Sequence, residues 1–224
     1  MPQDALFDLD LAHGRCVGVR IPNEEEGLDR LAAELLAEER AFARTLAPRR
    51  RRTWVGGRAA LREVLARSGL TAPPIFADDR GAPGLPAGIA GSVSHKEDLA
   101  VALVALDGAA RLGVDVEVDM APMTDVSSRV LTPEELDELA SLDPPARDRE
   151  VLLRFSAKEA IYKAIDPFVR RFVGFQEVSV DPRPDGSARV TSRLRPGEGP
   201  FAIDVRWRRW DGMVLTTARA SVVV

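Results

Sequence analysis

The order in which helix-like and strand-like patterns follow one another constrains this chain more than any other feature. Residues Glu24–Thr45 carry apolar side chains at helical spacing, Leu28, Leu31, Leu35 and Phe42, and a second helical pattern runs from Thr53 to Arg67. A proline-rich loop over 71–86 leads into Gly91-Ser92-Val93-Ser94-His95 and the unbroken apolar run Leu99–Leu106, which predicts a buried strand. Asp107-Gly108 predicts a tight turn, with a hairpin partner in Gly113–Val118. Asp125–Leu142 reads as helix, with a helix start at Thr132-Pro133-Glu134-Glu135. Asp143-Pro144 then opens a long helix to Ile165, which Asp166-Pro167 ends. Strands follow at Gln176–Val180, Ala188–Leu194, Phe201–Trp207 and Met213–Val224, separated by Asp185-Gly186, Pro196-Gly197 and Asp211-Gly212. Helices then strands, twice over, predict an α+β fold in two halves, 1–110 and 111–224. No clear sequence repeat relates the two.

Composition narrows the class. A chain of 224 residues has room for a real core, and its net charge of -4 argues against a molecule built to sit on polyanions. Cys16 is the single cysteine, so no intrachain disulfide forms, which fits a reducing, cytoplasmic setting. The N-terminus lacks the pattern of a signal peptide. Leu99–Leu106 is too short to span a bilayer, so no membrane association is expected. Among 31 basic residues only Lys96, Lys158 and Lys163 are lysine. Where arginine is otherwise the rule, a lysine points to a need for a compact ammonium.

Four segments carry candidate chemistry. In Gly113-Val114-Asp115-Val116-Glu117-Val118-Asp119, alternate side chains share a face, so the valines would face the core and the carboxylates the other side. Carboxylates about 6.6 Å apart repel unless water screens them or a hard cation such as Mg²⁺ lies between them. The segment is thus either a solvated acidic strand or part of a metal site. In Phe155-Ser156-Ala157-Lys158-Glu159-Ala160-Ile161-Tyr162-Lys163, Glu159 and Lys163 share one helix face, with Lys158 at the flank. They could supply a third carboxylate and ammonium groups for phosphate, or form an ordinary surface pair. Ser94-His95 could meet a phosphate or be structural, and His13 has no supporting context. Arg49–Arg52, Arg58 and Arg62 could bind phosphate bidentately or form a solvated basic face.

Taken together and in this order, the segments resemble the 4′-phosphopantetheinyl transferases of the surfactin/enterobactin-synthase type. Gly113–Glu117 matches that family's G-[VI]-D-x-E motif, and Phe155–Lys163 its [WF]-S-x-K-E-[AS]-x-x-K motif. Ser94-His95 looks like its S-H element, Gly81–Pro86 like its G-x-P-x-[WL]-P loop, and Arg50–Arg62 with Gly57-Arg58 like its R-R…G-R helix. The tail Pro167-Phe168…Gly174–Val178 looks like the enterobactin-type and mycobacterial subgroup. Phe155 stands where the surfactin type often has Trp, Leu85 where the enterobactin-like branch often has Trp, and Ala82 where the surfactin-type loop has a basic residue.

The resemblance implies two similar α+β halves related by a pseudo-twofold axis, with the active site in the cleft between them. It also implies a monomeric enzyme that moves phosphopantetheine from coenzyme A to a serine of an apo carrier protein, releasing adenosine 3′,5′-bisphosphate. Asp115, Glu117 and Glu159 would hold Mg²⁺. Arg50, Arg58, Arg80, Ser94, His95, Lys158 and Lys163 would bind coenzyme A, and Glu159 and Lys163 would act in catalysis. The competing classes are another metal-dependent phosphotransferase or phosphohydrolase, and a basic-helix nucleic-acid binder. The second lacks any helix-turn-helix, zinc or RNP motif.

Overall fold

In the computed structural model, residues 5–120 and 126–223 are described, and the chain divides into two compact units, Met1–Ala109 and Ala110–Val224. The first unit opens with the strands β1 (Ala5–Leu11) and β2 (Gly14–Arg20). The helices α1 (Glu25–Ala33), α2 (Ala37–Ala43) and α3 (Pro48–Arg67) follow, and β3 (Ile89–Lys96) and β4 (Leu99–Leu106) close it. The sheet is antiparallel in the order β1-β2-β4-β3. An interior strand covered on both faces reads as a continuous apolar run, and β4 is one, buried from Leu99 through Val104. Helix α3 starts with Pro48, whose missing N–H is an orphan in the first turn anyway. It lays Val55, Ala60, Leu61 and Val64 on Val17, Val19, Ala102 and Val104 of the sheet.

The second unit runs β5 (Arg111–Val118), α4 (Ser127–Val130), α5 (Pro133–Leu139), α6 (Pro144–Val169), a 3₁₀ turn at Phe175–Glu177, β6 (Val178–Pro182), β7 (Ser187–Ser192), β8 (Phe201–Trp210) and β9 (Met213–Val222). The sheet order is β5-β9-β8-β7-β6, again antiparallel. Helix α6 is capped by Asp143, which accepts from the Ala146 N–H, an arrangement that stabilises a helix by about 0.5–2 kcal/mol. It packs through Ala157, Ala160, Ile161 and Ala164 against Val205, Ala218 and Ala220. Gly113 brings β5 up against it: a Cβ there would stand 1.8 Å from the Ala160 carbonyl oxygen.

The α+β class is as expected, and several local expectations are corrected. β4 does not pair with Gly113–Val118. It lies between β2 and β3, while β5 pairs with β9, so a turn-like Asp107-Gly108 joins two units rather than two hairpin strands. The hairpin β1–β2 was not anticipated. Glu24–Thr45 is two helices, broken at Leu36, which is extended and donates its N–H to Glu39 Oε2 at 3.2 Å. Asp125 lies outside the described residues, and the rest of that expected helix is the pair α4 and α5. Pro167 does not end α6. Phe168 and Val169 pack on the core of this unit, and the helix stops at Arg170, in the left-handed region at φ 50°. Among the described residues no helix is long and apolar enough to cross a membrane.

The units share a local plan that the sequence hides. In each, a short helix carries a buried glutamate at its third position, Glu39 or Glu135. That carboxylate accepts the N–H of the capping residue, Leu36 or Thr132, and a second N–H from the segment after the long helix, Ile75 or Val180. It also meets a cation from the long helix, Arg62 or Lys158. Pro48 and Pro144, Arg58 and Arg154, Glu63 and Glu159, and Arg67 and Lys163 stand at one common spacing along the chain, the same that separates Glu39 from Glu135. The correspondence lies in bonds rather than in letters, since most aligned residues differ.

Candidate active site

The face of β5 that meets α6 carries Gly113 and Asp115, so the acidic side of the strand is not simply solvated: it forms the interface of strand and helix. Asp115 is buried there. Its Oδ2 accepts from Ser156 Oγ at 2.9 Å, and its Oδ1 from Lys163 Nζ at 2.9 Å. Lys163 also donates to the Val114 carbonyl at 2.9 Å, and Ser156 is linked to Thr216 of β9. Val114 and Val116, on the other face, are buried as expected. Glu159 is half-buried one turn before Lys163. Burial raises its pKa, Lys163 opposes that rise, and the charges of Asp115 and Glu117 add to it. Asp115, Glu117, Glu159 and Lys163 therefore act on one another electrostatically. Asp119, the third acid of the strand motif, is held by Arg209 at 3.2 Å and Arg149 at 3.7 Å.

Lys158 points elsewhere than its neighbour. Its ammonium is buried and donates to the Val130 carbonyl at 2.8 Å and to Glu135 Oε2 at 2.5 Å. Burial lowers its pKa, and the bond to Glu135 works against that. Together with Glu159, Tyr162, Phe172, Phe175 and Val178 it lines a cavity of about 50 Å³. Glu135 was not anticipated as part of this region. Its signal was present in Thr132-Pro133-Glu134-Glu135, a capping box in which Thr132 and Glu135 exchange hydrogen bonds.

In the first unit the arginines separate into two kinds. Arg51 pairs with Glu25 and Asp29, Arg52 donates to the carbonyls of Ile21, Pro22 and Glu97, and Arg62 pairs with Glu39. These are structural, and much of the basic cluster is neutralised. Arg58 differs. It is 6% exposed, its guanidinium lies over the Trp54 ring at 4.8 Å, and its Nε has no hydrogen-bond partner among the described residues. Burial pulls its pKa down to about 10, with Glu39 opposing and Arg62 adding to the fall. Its counterpart Arg154 is surrounded by Glu150, Glu138 and Glu135. At the positions of Glu138 and Glu150 the first unit has Phe42 and Trp54, two rings 5.1 Å apart. Arg58 is thus a buried cation with aromatic rings where Arg154 has carboxylates, an arrangement suited to receiving an anion from outside. Arg50 is exposed in the first turn of α3, Arg80 is half-buried in the loop before β3, and Ser94 and His95 are buried and exposed respectively at the end of β3.

The carboxylates have the hard oxygen donors that a divalent cation takes, and their mutual charge is what a cation relieves. Among the described residues no group of three or more His, Cys, Asp or Glu side chains is assembled closely enough to hold a metal ion. The Lys163 ammonium is in contact with Asp115.

Two family models match the chain: the 4′-phosphopantetheinyl transferase N-terminal domain over residues 37–105, and the 4′-phosphopantetheinyl transferase superfamily over residues 111–218. The chain is similar to the 4′-phosphopantetheinyl transferase Svp of Streptomyces mobaraensis, 34% identical over 81% of this chain and 77% of the relative. It is 34% identical to the 4′-phosphopantetheinyl transferase Npt of Nocardia iowensis, over 80% of this chain and 86% of that one. With the 4′-phosphopantetheinyl transferase PptT of Mycobacterium tuberculosis it shares 29% over 81% and 84%. Both family motifs fall on the α6–β5 interface just described, and the chain belongs to the 4′-phosphopantetheinyl transferase superfamily, as an enzyme of that type.

Proposed function

We propose that this enzyme transfers the 4′-phosphopantetheine group of coenzyme A to a serine hydroxyl of an apo carrier protein, releasing adenosine 3′,5′-bisphosphate, and that it does so as a cytoplasmic monomer. The observation that carries the reading is the convergence of Asp115, Glu159 and Lys163 at the α6–β5 interface. Asp115, Glu117 and Glu159 would have to draw closer together, with Lys163 turned from Asp115, to hold Mg²⁺, which when bound would draw charge from the pyrophosphate oxygens.

The chain's own groups supply the rest. Lys163, 27% exposed at its side chain, can turn its ammonium from Asp115 toward a phosphate oxygen. Glu159 is the candidate base on position: it is half-buried one turn before Lys163 and within electrostatic reach of Asp115 and Glu117. It would take the serine proton, directly or through water, as Oγ bonds to the phosphorus that bears pantetheine. The phosphoanhydride bond to the other phosphate then breaks, and its electron pair leaves with the nucleotide. Lys158, in the wall of the cavity beside Glu159, is a further candidate for a phosphate of coenzyme A. Arg58, short of carboxylate partners, is the strongest candidate for the 3′-phosphate, with Arg50, Arg80, Ser94 and His95 completing the coenzyme A set.

The test is to incubate the protein with coenzyme A, Mg²⁺ and a panel of apo carrier proteins, then weigh the carriers. A carrier gaining one phosphopantetheine, with the nucleotide appearing in equal amount, is the expected result. No mass gain on any carrier, with or without the metal, would sink the reading.

A further inference from the structure

We infer that Glu135 is a positioning residue for the transfer reaction, fixing the Lys158 ammonium in the wall of the cavity beside Glu159; the inference rests on the transfer reading above. Glu135 is 2% exposed. Its Oε2 accepts from the Thr132 N–H at 2.7 Å and from Lys158 Nζ at 2.5 Å, and its Oε1 from the Val180 N–H at 2.7 Å. One carboxylate thereby ties together the turn before α5, the middle of α6 and strand β6. Two of those pieces, α6 through Lys158, Glu159 and Tyr162, and β6 through Val178, form walls of the cavity. With the Val130 carbonyl as a second acceptor, two of the three ammonium protons are directed, and the cation cannot swing.

Stability alone does not account for the choice. A buried ion pair gains little over well-packed apolar residues of similar size, because desolvation offsets the attraction. The first unit shows the same scaffold holding a different cation. There Glu39 accepts from the Leu36 and Ile75 N–H groups, and its cation is Arg62. The guanidinium reaches past Glu39 to the carbonyls of Ala72 and Pro73 at 2.6 and 2.7 Å. The glutamate scaffold accepts a large planar cation. At the matching position beside the cavity the second unit has the compact one, whose head stops at Glu135 and Val130. Lysine is thus the part of the arrangement specific to the site, and Glu135 is what aims it.

The experiment measures coenzyme A binding by calorimetry, and KM, kcat and melting temperature, for the full chain and for Glu135→Gln, Lys158→Arg and the double variant Glu135→Leu/Lys158→Met. Glu135→Gln is expected to raise Kd and KM for coenzyme A at least about tenfold while kcat changes less than about threefold. Lys158→Arg, which copies Arg62, should keep the melting temperature and show the same rise in KM. The double variant removes both buried charges, so it should regain melting temperature relative to Glu135→Gln yet keep the raised KM, and it decides the matter if the single variant does not fold. A Glu135→Gln protein with a lower melting temperature and active fraction but unchanged Kd and KM overturns the inference, as does a double variant that recovers both. Failure of the unsubstituted chain to bind coenzyme A sinks the transfer reading itself. Binding by the unsubstituted chain and equal binding by Glu135→Gln sinks only the positioning role.

Discussion

Lys163 Nζ stands 2.9 Å from both Asp115 Oδ1 and the Val114 carbonyl oxygen, so one ammonium fastens α6 to the main chain and to the carboxylate of β5. In the first unit the corresponding residue, Arg67, pairs with Glu63 and with Asp8. The same helix position therefore holds arginine where only structure is at stake.

That comparison sharpens the expectation for Lys163→Arg. The scaffold accepts a guanidinium one turn after a glutamate, so the melting temperature should change little. Turnover should fall at least about tenfold, equivalent to about 1.4 kcal/mol of transition-state stabilisation, because a planar fork cannot leave Asp115 for a phosphate as an ammonium can. Near-normal turnover would show that any cation serves at this position.

Asp115→Ala and Glu117→Ala should both abolish most transfer, but they should differ in stability. Asp115 is buried and accepts from Ser156 and Lys163, so its removal takes one acceptor from each, at a cost of about 1–3 kcal/mol. Glu117 is half-buried at the edge of the group, and its loss should leave the melting temperature nearly unchanged. Transfer by the unsubstituted enzyme should stop on chelation of divalent cations and return with Mg²⁺. Full activity in chelator would remove the metal from the scheme.

Arg58→Met should separate binding from folding. A buried guanidinium without carboxylate partners stays desolvated at the protein's expense, so an apolar side chain of similar length should hold or raise the melting temperature. Coenzyme A should nevertheless bind more weakly by about 1.5–3 kcal/mol, the usual size of a charge-assisted contact, with 3′-dephospho-coenzyme A much less affected. Equal losses for the two ligands would take the 3′-phosphate away from Arg58.

Acid sensitivity should have a traceable source in the first unit. The hydrogen bond from Arg15 holds Asp8 down to about 2, with burial opposing and Arg67 assisting. A carboxylate with a depressed folded pKa contributes stability fully present above its unfolded value. That contribution is lost as pH falls from near 4 toward 2. Arg15→Ala should flatten the decline of melting temperature over that window; an unchanged slope would assign the acid sensitivity to other carboxylates.

Much of this architecture was legible in the sequence where periodicity and local chemistry agree. Leu99–Leu106 is a buried strand because nothing polar interrupts it, and Pro144 starts a helix because of what it lacks. Long-range pairing was not legible: nothing in Gly113–Val118 says that its neighbour is Met213–Val222 and not the strand just before it. The motif residues were found by pattern, yet their roles divided only in three dimensions. Lys158 and Glu159 are adjacent letters, one bonded to Glu135 and the other facing the charges of Asp115 and Glu117. The shared local plan of the two units escaped for a related reason. It is carried by which groups bond, and Arg62 for Lys158 or Trp54 for Glu150 preserves the framework while erasing the resemblance.

The absence of a side chain at Gly113 has a mechanical consequence. Strand and helix there meet backbone to backbone, with the Ala160 carbonyl where a Cβ would be. No compressible side chain acts as a spacer between the main chain that carries Asp115 and the one that carries Glu159. The gap between those two main chains is therefore set by peptide geometry, which varies far less than side-chain packing. Drift in the size of core residues elsewhere in the unit can shift the sheet's far strands without altering the gauge of the reacting groups. Such a joint lets a lineage change most of its interior while the instrument it supports stays calibrated.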